Sequence, residues 1–132
     1  MRGLILAVSG TRRMLDEEEG RKVLDVLTPY VEQARVIHVG DCPTGIDWIV
    51  RNMATRVPVR VHEAYWDEEG HRAGPNRNRR MLEVAFSQHL RLDMEVMLAA
   101  FPNGHTFNDS PGTWGACKIA HEMKIPVKVT EV

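Results

Sequence analysis

The stretch Leu4–Arg12, with the sequence LILAVSGTR, joins five consecutive apolar residues to a short turn that contains Gly10. An apolar run of this length that ends in a turn is typical of a strand buried on both of its faces. The stretch therefore predicts a buried first strand with a glycine turn at its carboxyl end.

The same arrangement recurs along the chain, because short apolar runs alternate with segments in which apolar residues return at helical spacing. Strands are predicted over residues 4–8, 36–39, 59–65, 96–101 and 126–132, and a long polar loop is expected to continue through Gly74. Helices are predicted over 17–33 and around the apolar sets Ile46–Met53, Met81–His89 and Ala116–Met123. This alternation predicts an α/β fold: one Rossmann-like three-layer domain over residues 1–132, with a mostly parallel five-stranded sheet and helices on both faces.

The charge balance argues against partners that are attracted by the field of the whole molecule. Seventeen Lys and Arg residues stand against 18 Asp and Glu residues, which gives a formal net charge of -1. Nucleic acids and anionic membranes attract strongly basic proteins, so neither is expected as a partner. Any anion-binding site must be local.

Metal ligands, disulfides and targeting segments have no clear signature in the sequence. Cys42 and Cys117 lie far apart without the spacing of metal ligands, and the six histidines are scattered. The apolar run near the N-terminus is too short for a membrane span or a signal core. We expect free thiols, no metal site, no required cofactor and a cytoplasmic location.

Glycine-bearing turns follow several predicted strands and precede predicted helices. In a parallel sheet such turns meet at the carboxyl edge, where ligands bind at the switch in strand order. Arg77 and Asn78 are predicted in the first turn of a helix, where free backbone N–H groups and a guanidinium favour a phosphate. The candidate ligand-binding residues are Ser9, Gly10, Thr11, Arg12, Gly40, Gly45, Asp47, Trp66, Gly74, Arg77, Asn78, Gly112 and Thr113.

Two of these candidates, Asp47 and Trp66, are explained either by contact with a ligand or by an ordinary structural role. Thr44 and Asp47 fit a helix capping box, whereas Asp47 alternatively accepts a hydrogen bond from a ribose hydroxyl or acts on a sugar carbon. Trp66 either stacks on a base or closes the edge of the core.

The turns around the first and last helices of the chain are similarly open to two interpretations. Gly10 and Thr11 either only turn the chain or contact a phosphate or base. Ser110 is a candidate cap, and Pro111 suits a first helical position. His38, at a strand end, is expected to satisfy a turn rather than to perform acid–base chemistry.

The order of these motifs along the chain carries a family resemblance. The motifs are SGTR at 9–12, HVG at 38–40 with GID at 45–47, AYW at 64–66, AG at 73–74, RN at 77–78, FP at 101–102 and GT at 112–113. Together they resemble the YspA/YpsA-related branch of the SLOG superfamily over nearly the whole chain. The resemblance implies a Rossmann-like domain that binds a nucleotide or a nucleotide-derived ligand. It also suggests a homodimer.

Distant relatives in that superfamily include lonely-guy phosphoribohydrolases, DprA-type DNA-binding proteins and molybdenum-cofactor carriers, so the fold alone does not fix the activity. Two positions depart from the pattern. Val39 replaces a second glycine that the branch usually carries after His38, and Ala116 stands where the lonely-guy enzymes have a catalytic glutamate. The loop between Pro102 and Gly112 is also longer than the corresponding turn of those enzymes.

Three functions follow from these observations. The first is binding or sensing of a small-molecule nucleotide or nucleotide-derived phosphate ligand at the carboxyl edge of the sheet. The second is a phosphoribohydrolase-like N-glycoside hydrolase that acts on a nucleoside monophosphate, with Asp47, Glu63 and Glu83 as candidate catalytic carboxylates. The third is single-stranded DNA binding of the DprA type, against which the neutral charge balance and the few aromatic residues argue.

Overall fold

The computed structural model describes residues 3–53 and 55–132 of the chain. The strands are β1 Leu4–Gly10, β2 Ala34–Gly40, β3 Val59–His62, β4 Glu95–Phe101 and β5 Val127–Val129. The helices are α1 Glu17–Gln33, α2 Gly45–Arg51, α3 Trp66–Glu69, α4 Ala73–Leu92 and α5 Pro111–Glu122, and a 3-10 turn at Gly70–Arg72 leads directly into α4. Within these ranges no helix is long and apolar enough to span a membrane.

The strands form one sheet in the order β3-β2-β1-β4-β5, and every pairing is parallel. The chain runs outward from the central β1 to β3 and then returns to the other side of β1 with β4. This reversal is a switch point, at which the loops after β1 and β4 diverge and leave a crevice. The predicted α/β Rossmann-like class is therefore confirmed.

The core is divided into two layers by the alternation of side chains along β1. Leu4, Leu6 and Val8 belong to the layer under α1 and α2, whereas Ile5 and Ala7 belong to the layer under α4 and α5. All five side chains are at most 5% exposed. Burial of one Leu or Ile side chain contributes about 1.5–3 kcal/mol, so β1 is firmly anchored and holds its carboxyl-terminal turn in place.

The first helix begins where local capping predicts it to begin. The Asp16 side chain accepts a hydrogen bond from the Glu19 N–H, and the Glu19 side chain accepts one from the Asp16 N–H. The same helix buries Val23, Leu27 and Val31, which recur every four residues and so share one face.

The segment between β3 and α4 differs from the long polar loop that the sequence predicts. β3 ends at His62, residues 66–69 form α3, and α4 begins at Ala73. Ala73 and Gly74 are buried, and the absence of a large side chain at Gly74 lets this first turn of α4 pack beneath Trp66. Arg77 and Asn78 therefore lie in the second turn of α4, and the prediction that they begin the helix is wrong.

Candidate functional site

The carboxyl edge of the sheet holds a cleft of about 700 Å³. Its walls come from the turn after β1, the end of β2, the first turns of α4, and the loop that leads into α5. Small-molecule sites typically enclose about 300–1,000 Å³, and they occur at switch points of this kind. The cleft is therefore large enough for a nucleotide-sized ligand.

The structure brings nearly all of the predicted ligand-binding residues to this cleft. The exception is Gly45. The lining residues that the sequence predicts are Ser9, Gly10, Thr11, Arg12, Gly40, Asp47, Trp66, Gly74, Arg77, Asn78, Gly112 and Thr113. Among the three candidate catalytic carboxylates, Asp47 lines the cleft, whereas Glu63 and Glu83 are exposed at positions outside its lining.

Gly45 has a structural role between the turn after β1 and the start of α2. Its φ of 73° is a left-handed conformation, and a Cβ there would collide with the Thr11 carbonyl oxygen. The neighbouring Ile46 N–H donates to that same carbonyl at 3.0 Å. Gly45 thus allows two loops of the cleft to bond to each other rather than contacting a ligand.

The amino end of α5 supplies hydrogen-bond donors at one end of the cleft. Pro111 occupies the first helical position, as its residue type predicts, and the N–H groups of Gly112 and Thr113 have no carbonyl partner within the helix by geometry. A Cβ added to Gly112 would meet no atom within 4 Å, so the backbone is open on that side. A helix end of this kind favours an anion through its exposed N–H groups and its dipole.

Three buried hydroxyl groups line the cleft, and two of them, those of Ser110 and Thr113, belong to the start of α5. Ser9, Ser110 and Thr113 are 8%, 7% and 3% exposed, and all three line the cleft. Their hydroxyls form no hydrogen bond with the part of the chain that the structure describes, and none of the three oxygens is sealed inside the protein. Ser110 is the N-cap residue of α5, but its side chain makes no capping bond, so the predicted capping role of this hydroxyl is wrong.

Two cations of the cleft have no carboxylate partner among the described residues. The Arg12 guanidinium lies 5.0 Å from the centre of the Trp66 ring, which is itself 45% exposed. Lys118 lines the cleft from α5 and was not predicted from the sequence. Lys118 lies three residues after Gly115, which also lines the cleft, so the two are neighbours on the surface of α5.

Arg13 also lines the cleft, but its guanidinium is already paired with a carboxylate of the protein. Its guanidinium pairs with Glu19 at 2.8 Å and donates to the Asn103 side chain at 3.1 Å. These bonds hold the loop after β4 against the start of α1. Phe107 and Asp109 of that loop also border the cleft, a contribution that sequence reasoning missed because the loop has no periodic pattern.

The side chains of Arg77 and Asn78 mainly form hydrogen bonds that hold parts of the site together. Arg77 donates from Nη1 to Asp41 Oδ1 at 2.9 Å and from Nε to Asn78 Oδ1 at 2.8 Å. Asn78 in turn donates from Nδ2 to the Gly112 carbonyl at 3.3 Å. Because both residues lie within α4, their backbone N–H groups are engaged inside the helix and do not face an anion.

Asp47 is a buried carboxyl group at the floor of the cleft. Its Oδ2 accepts a hydrogen bond from the Cys42 N–H at 3.1 Å, and burial raises the pKa of this carboxyl group while Arg77 opposes the shift. A Cβ on Gly40 would press against both Arg77 and Asp47, so glycine permits their close approach. Thr44 donates instead to the Arg12 carbonyl at 2.6 Å, and the predicted capping box with Asp47 does not form.

His38 belongs to a hydrogen-bonded network outside the cleft. Its Nδ1 lies 2.9 Å from His62 Nε2, and its Nε2 contacts Gln88 Oε1. Since an amide oxygen only accepts, His38 donates from Nε2 to Gln88. Burial lowers the pKa of His38 and lowers that of His62 to about 4.

Across the described ranges, no group of three or more His, Cys, Asp or Glu side chains is arranged to hold a metal ion. The arrangement of the cleft instead provides donors for an anion at one end, a carboxylate at its floor and an exposed aromatic ring at its rim. Scans of the chain against family models and against curated proteins found no match. A search of solved structures likewise found no match.

Proposed function

We propose that this protein binds or senses a nucleotide or a nucleotide-derived phosphate ligand in the cleft at the carboxyl edge of its sheet. The observation that carries the proposal is the set of three buried hydroxyls, of Ser9, Ser110 and Thr113, that line the cleft. These hydroxyls have no partner among the described residues and are open to the cleft, so they can hydrogen-bond to a polar ligand that takes the place of water.

Two cations in the lining of the cleft favour an anion over a neutral ligand. Arg12 and Lys118 form no ion pair with a described carboxylate, although each lines the cleft. A phosphate can accept hydrogen bonds from hydroxyls, backbone N–H groups and cations at the same time. The phosphate of the ligand would accordingly lie between the turn after β1 and the start of α5.

The exposed ring of Trp66 supports a ligand that also carries a flat group. One face of this ring is covered by Arg12, and the ring borders the cleft. Aromatic rings of this kind stack on nucleobases. The resemblance of the sequence motifs to the SLOG superfamily supports the same class of ligand.

An N-glycoside hydrolase remains the second candidate, because Asp47 places a carboxyl group in the cleft. Such a group could stabilise the positive charge that develops on a sugar carbon when the bond to a base breaks. Ala116, however, is fully buried in the core under α5, so the position at which related hydrolases carry glutamate presents no carboxylate here. We therefore favour binding or sensing over hydrolysis.

The proposal can be tested by thermal melting in the presence of nucleoside monophosphates, NAD and ADP-ribose, with each mixture then analysed for released base. A ligand present at about 100 times its dissociation constant adds about 2.7 kcal/mol of stability, which a melting scan detects. Stabilisation without base release supports binding or sensing, whereas base release that disappears in Asp47→Ala supports the hydrolase.

The variant Thr113→Val tests the site itself, because it removes a hydroxyl while keeping the shape of the side chain. Loss of one hydrogen bond to a charged group should weaken binding by about tenfold or more. Thr28→Val is the matched control, since the Thr28 hydroxyl lies on the exposed surface of α1 and bonds to the Leu24 carbonyl. Equal affinity in wild type and Thr113→Val would contradict the proposed phosphate position.

A further inference from the structure

Asp47 has one oxygen committed to the fold and one that faces the cleft. The residue is 7% exposed, and Oδ2 accepts the Cys42 N–H. Its other oxygen, Oδ1, has no hydrogen-bond partner in the described part of the chain, and it is not enclosed by protein atoms. An ionised carboxylate has about four acceptor positions, so Oδ1 can accept from a ligand without loss of the bond to Cys42.

The surroundings of Asp47 restrict the kind of group that it can bind. A phosphate is repelled by the carboxylate, which agrees with a phosphate position at the far end of the cleft, beside α5. An additional cation is also disfavoured, because the fields of Arg77 and Arg51 already act on this carboxyl group. A neutral hydrogen-bond donor, such as a hydroxyl group, is neither repelled by the carboxylate nor disfavoured by the two arginines.

The order of the strands places Asp47 between Trp66 and the hydroxyl-lined end of the cleft. Along the sheet edge the strands follow the order β3-β2-β1-β4. Trp66 follows β3, Asp47 lies on the helix that follows β2, and the hydroxyl-lined end lies between β1 and β4. In a nucleotide the sugar likewise lies between the base and the phosphate.

We infer that Asp47 Oδ1 accepts a hydrogen bond from a sugar hydroxyl, so that the cleft selects ribonucleotides over nucleotides that lack the hydroxyls of the sugar. This inference rests on the proposed function. An analogue without the hydroxyl leaves a buried acceptor unpaired, and sites of this kind reject such analogues strongly. A preference of about tenfold or more is expected from one hydrogen bond to a charged acceptor.

The informative variant is Asp47→Asn. The amide oxygen of asparagine can still accept from the Cys42 N–H, and its NH2 group then faces the ligand in place of Oδ1. The variant thus keeps the fold and replaces the charged acceptor by a neutral donor, with which a sugar hydroxyl forms only a weaker hydrogen bond. Asp25→Asn is the matched control, because Asp25 lies on the exposed surface of α1.

Isothermal titration calorimetry should compare AMP, GMP, CMP and UMP with their 2′-deoxy and 2′,3′-dideoxy counterparts on the full chain. We expect wild type and Asp25→Asn to prefer the ribonucleotide over the dideoxy form by about tenfold or more, and Asp47→Asn to show a clearly smaller preference, because its bond to the hydroxyl is no longer charge-assisted. Equal binding of both forms by wild type, or an unchanged preference in Asp47→Asn, would overturn the inference and leave the nucleotide proposal intact. Failure of these nucleotides, and of NAD and ADP-ribose, to bind would overturn both.

Discussion

Neighbouring arginines on α4 show how widely the roles of one residue type differ. Arg77 is buried and pairs with Asp41 at 2.9 Å, whereas Arg79 is about half exposed and lies 3.8 Å from Glu122. The sequence predicts Arg77, and not Arg79, as a site residue, but it does not indicate the partner of Arg77, because Asp41 is 36 residues away along the chain. Only the packing of the end of β2 against α4 brings this pair together.

Replacing Arg77 with methionine should destabilise the fold by about 2–3 kcal/mol, since it leaves the Asp41 carboxylate and the Asn78 side chain without their donor. This is below the cost of breaking a fully buried pair, because the Asp41 side chain is 31% exposed. Arg79→Met is the control and should change stability by no more than about 0.5 kcal/mol. Urea denaturation measures both, and equal effects of the two substitutions would contradict the assigned roles.

Asp47 carries a stability cost that a purely structural carboxylate would not. Burial raises the pKa of Asp47 above its ordinary value of 3.8, so the folded state binds the proton more tightly than the unfolded chain does. The proton on Asp47 thus stabilises the folded state below pH 3.8, and this stabilisation is lost as the pH rises through the pKa of Asp47 in the folded protein. Ionisation of Asp47 therefore destabilises the fold.

Asp47→Asn should therefore melt at a higher temperature than wild type near neutral pH, and the difference should shrink as the pH falls toward 3.8. Such gains in stability at a binding residue are common, because binding sites are not optimised for stability. Thermal melting over a series of pH values tests this. A lower melting temperature for the variant at neutral pH would show that the carboxylate serves the fold.

The amino ends of α4 and α5 illustrate what can be predicted for single helices. The start of α5 is signalled locally, because Pro111 suits the first helical position and cannot donate a hydrogen bond. The start of α4 is not, since the burial of Ala73 and Gly74 under Trp66 extends the helix past the apparent loop. The sequence therefore predicts the amino end of α5 correctly, but it misplaces the amino end of α4, which it assigns to Arg77.

Gly112→Ala should weaken binding of a nucleotide without harming the fold. An added Cβ meets no protein atom within 4 Å at this position, but it narrows the cleft beside the open N–H groups. Gly20→Ala in α1 is the matched control, because its Cβ also meets nothing within 4 Å and Gly20 does not line the cleft. Both variants should be as stable as wild type or up to about 1 kcal/mol more stable.

Calorimetric titration with a nucleoside monophosphate separates the two glycines. Reduced affinity in Gly112→Ala alone is the expected result. Equal affinity in both variants would mean that no ligand approaches the backbone at the start of α5.

At the scale of the whole molecule, the fold was predictable because its signals are local and repeated. Apolar runs marked the five strands, and their alternation with helices required parallel pairing, which in turn brought the glycine turns to one edge. The partners inside the site were not predictable. The pair of Arg77 with Asp41 and the contact of His38 with His62 and Gln88 each join residues that are distant in sequence.

The buried histidine network makes the stability of the whole fold depend on pH. The pKa of His38 is lowered by burial, and that of His62 is lowered from 6.5 to about 4, so the unfolded chain binds more protons in this range. The stabilisation is complete above pH 6.5 and is lost as the pH falls to about 4. Arg60, Arg77 and Arg80 add to the cost of a charge on His62.

Melting temperatures should accordingly decline as the pH is lowered through this window, and His62→Gln should reduce the slope. The glutamine amide can still donate to His38 Nδ1, but it does not titrate. An identical slope for wild type and His62→Gln would show that other groups control the acid sensitivity.

The most direct test of the central claim is to map the binding site by NMR, which a 15.0 kDa chain permits. Backbone amide resonances would be followed while AMP or GMP is titrated into the protein. The phosphate position proposed here predicts that the largest shifts occur at Gly112 and Thr113, with further shifts in the turn Ser9–Arg12. Shifts that are absent, or that are confined to residues outside the cleft, would contradict it.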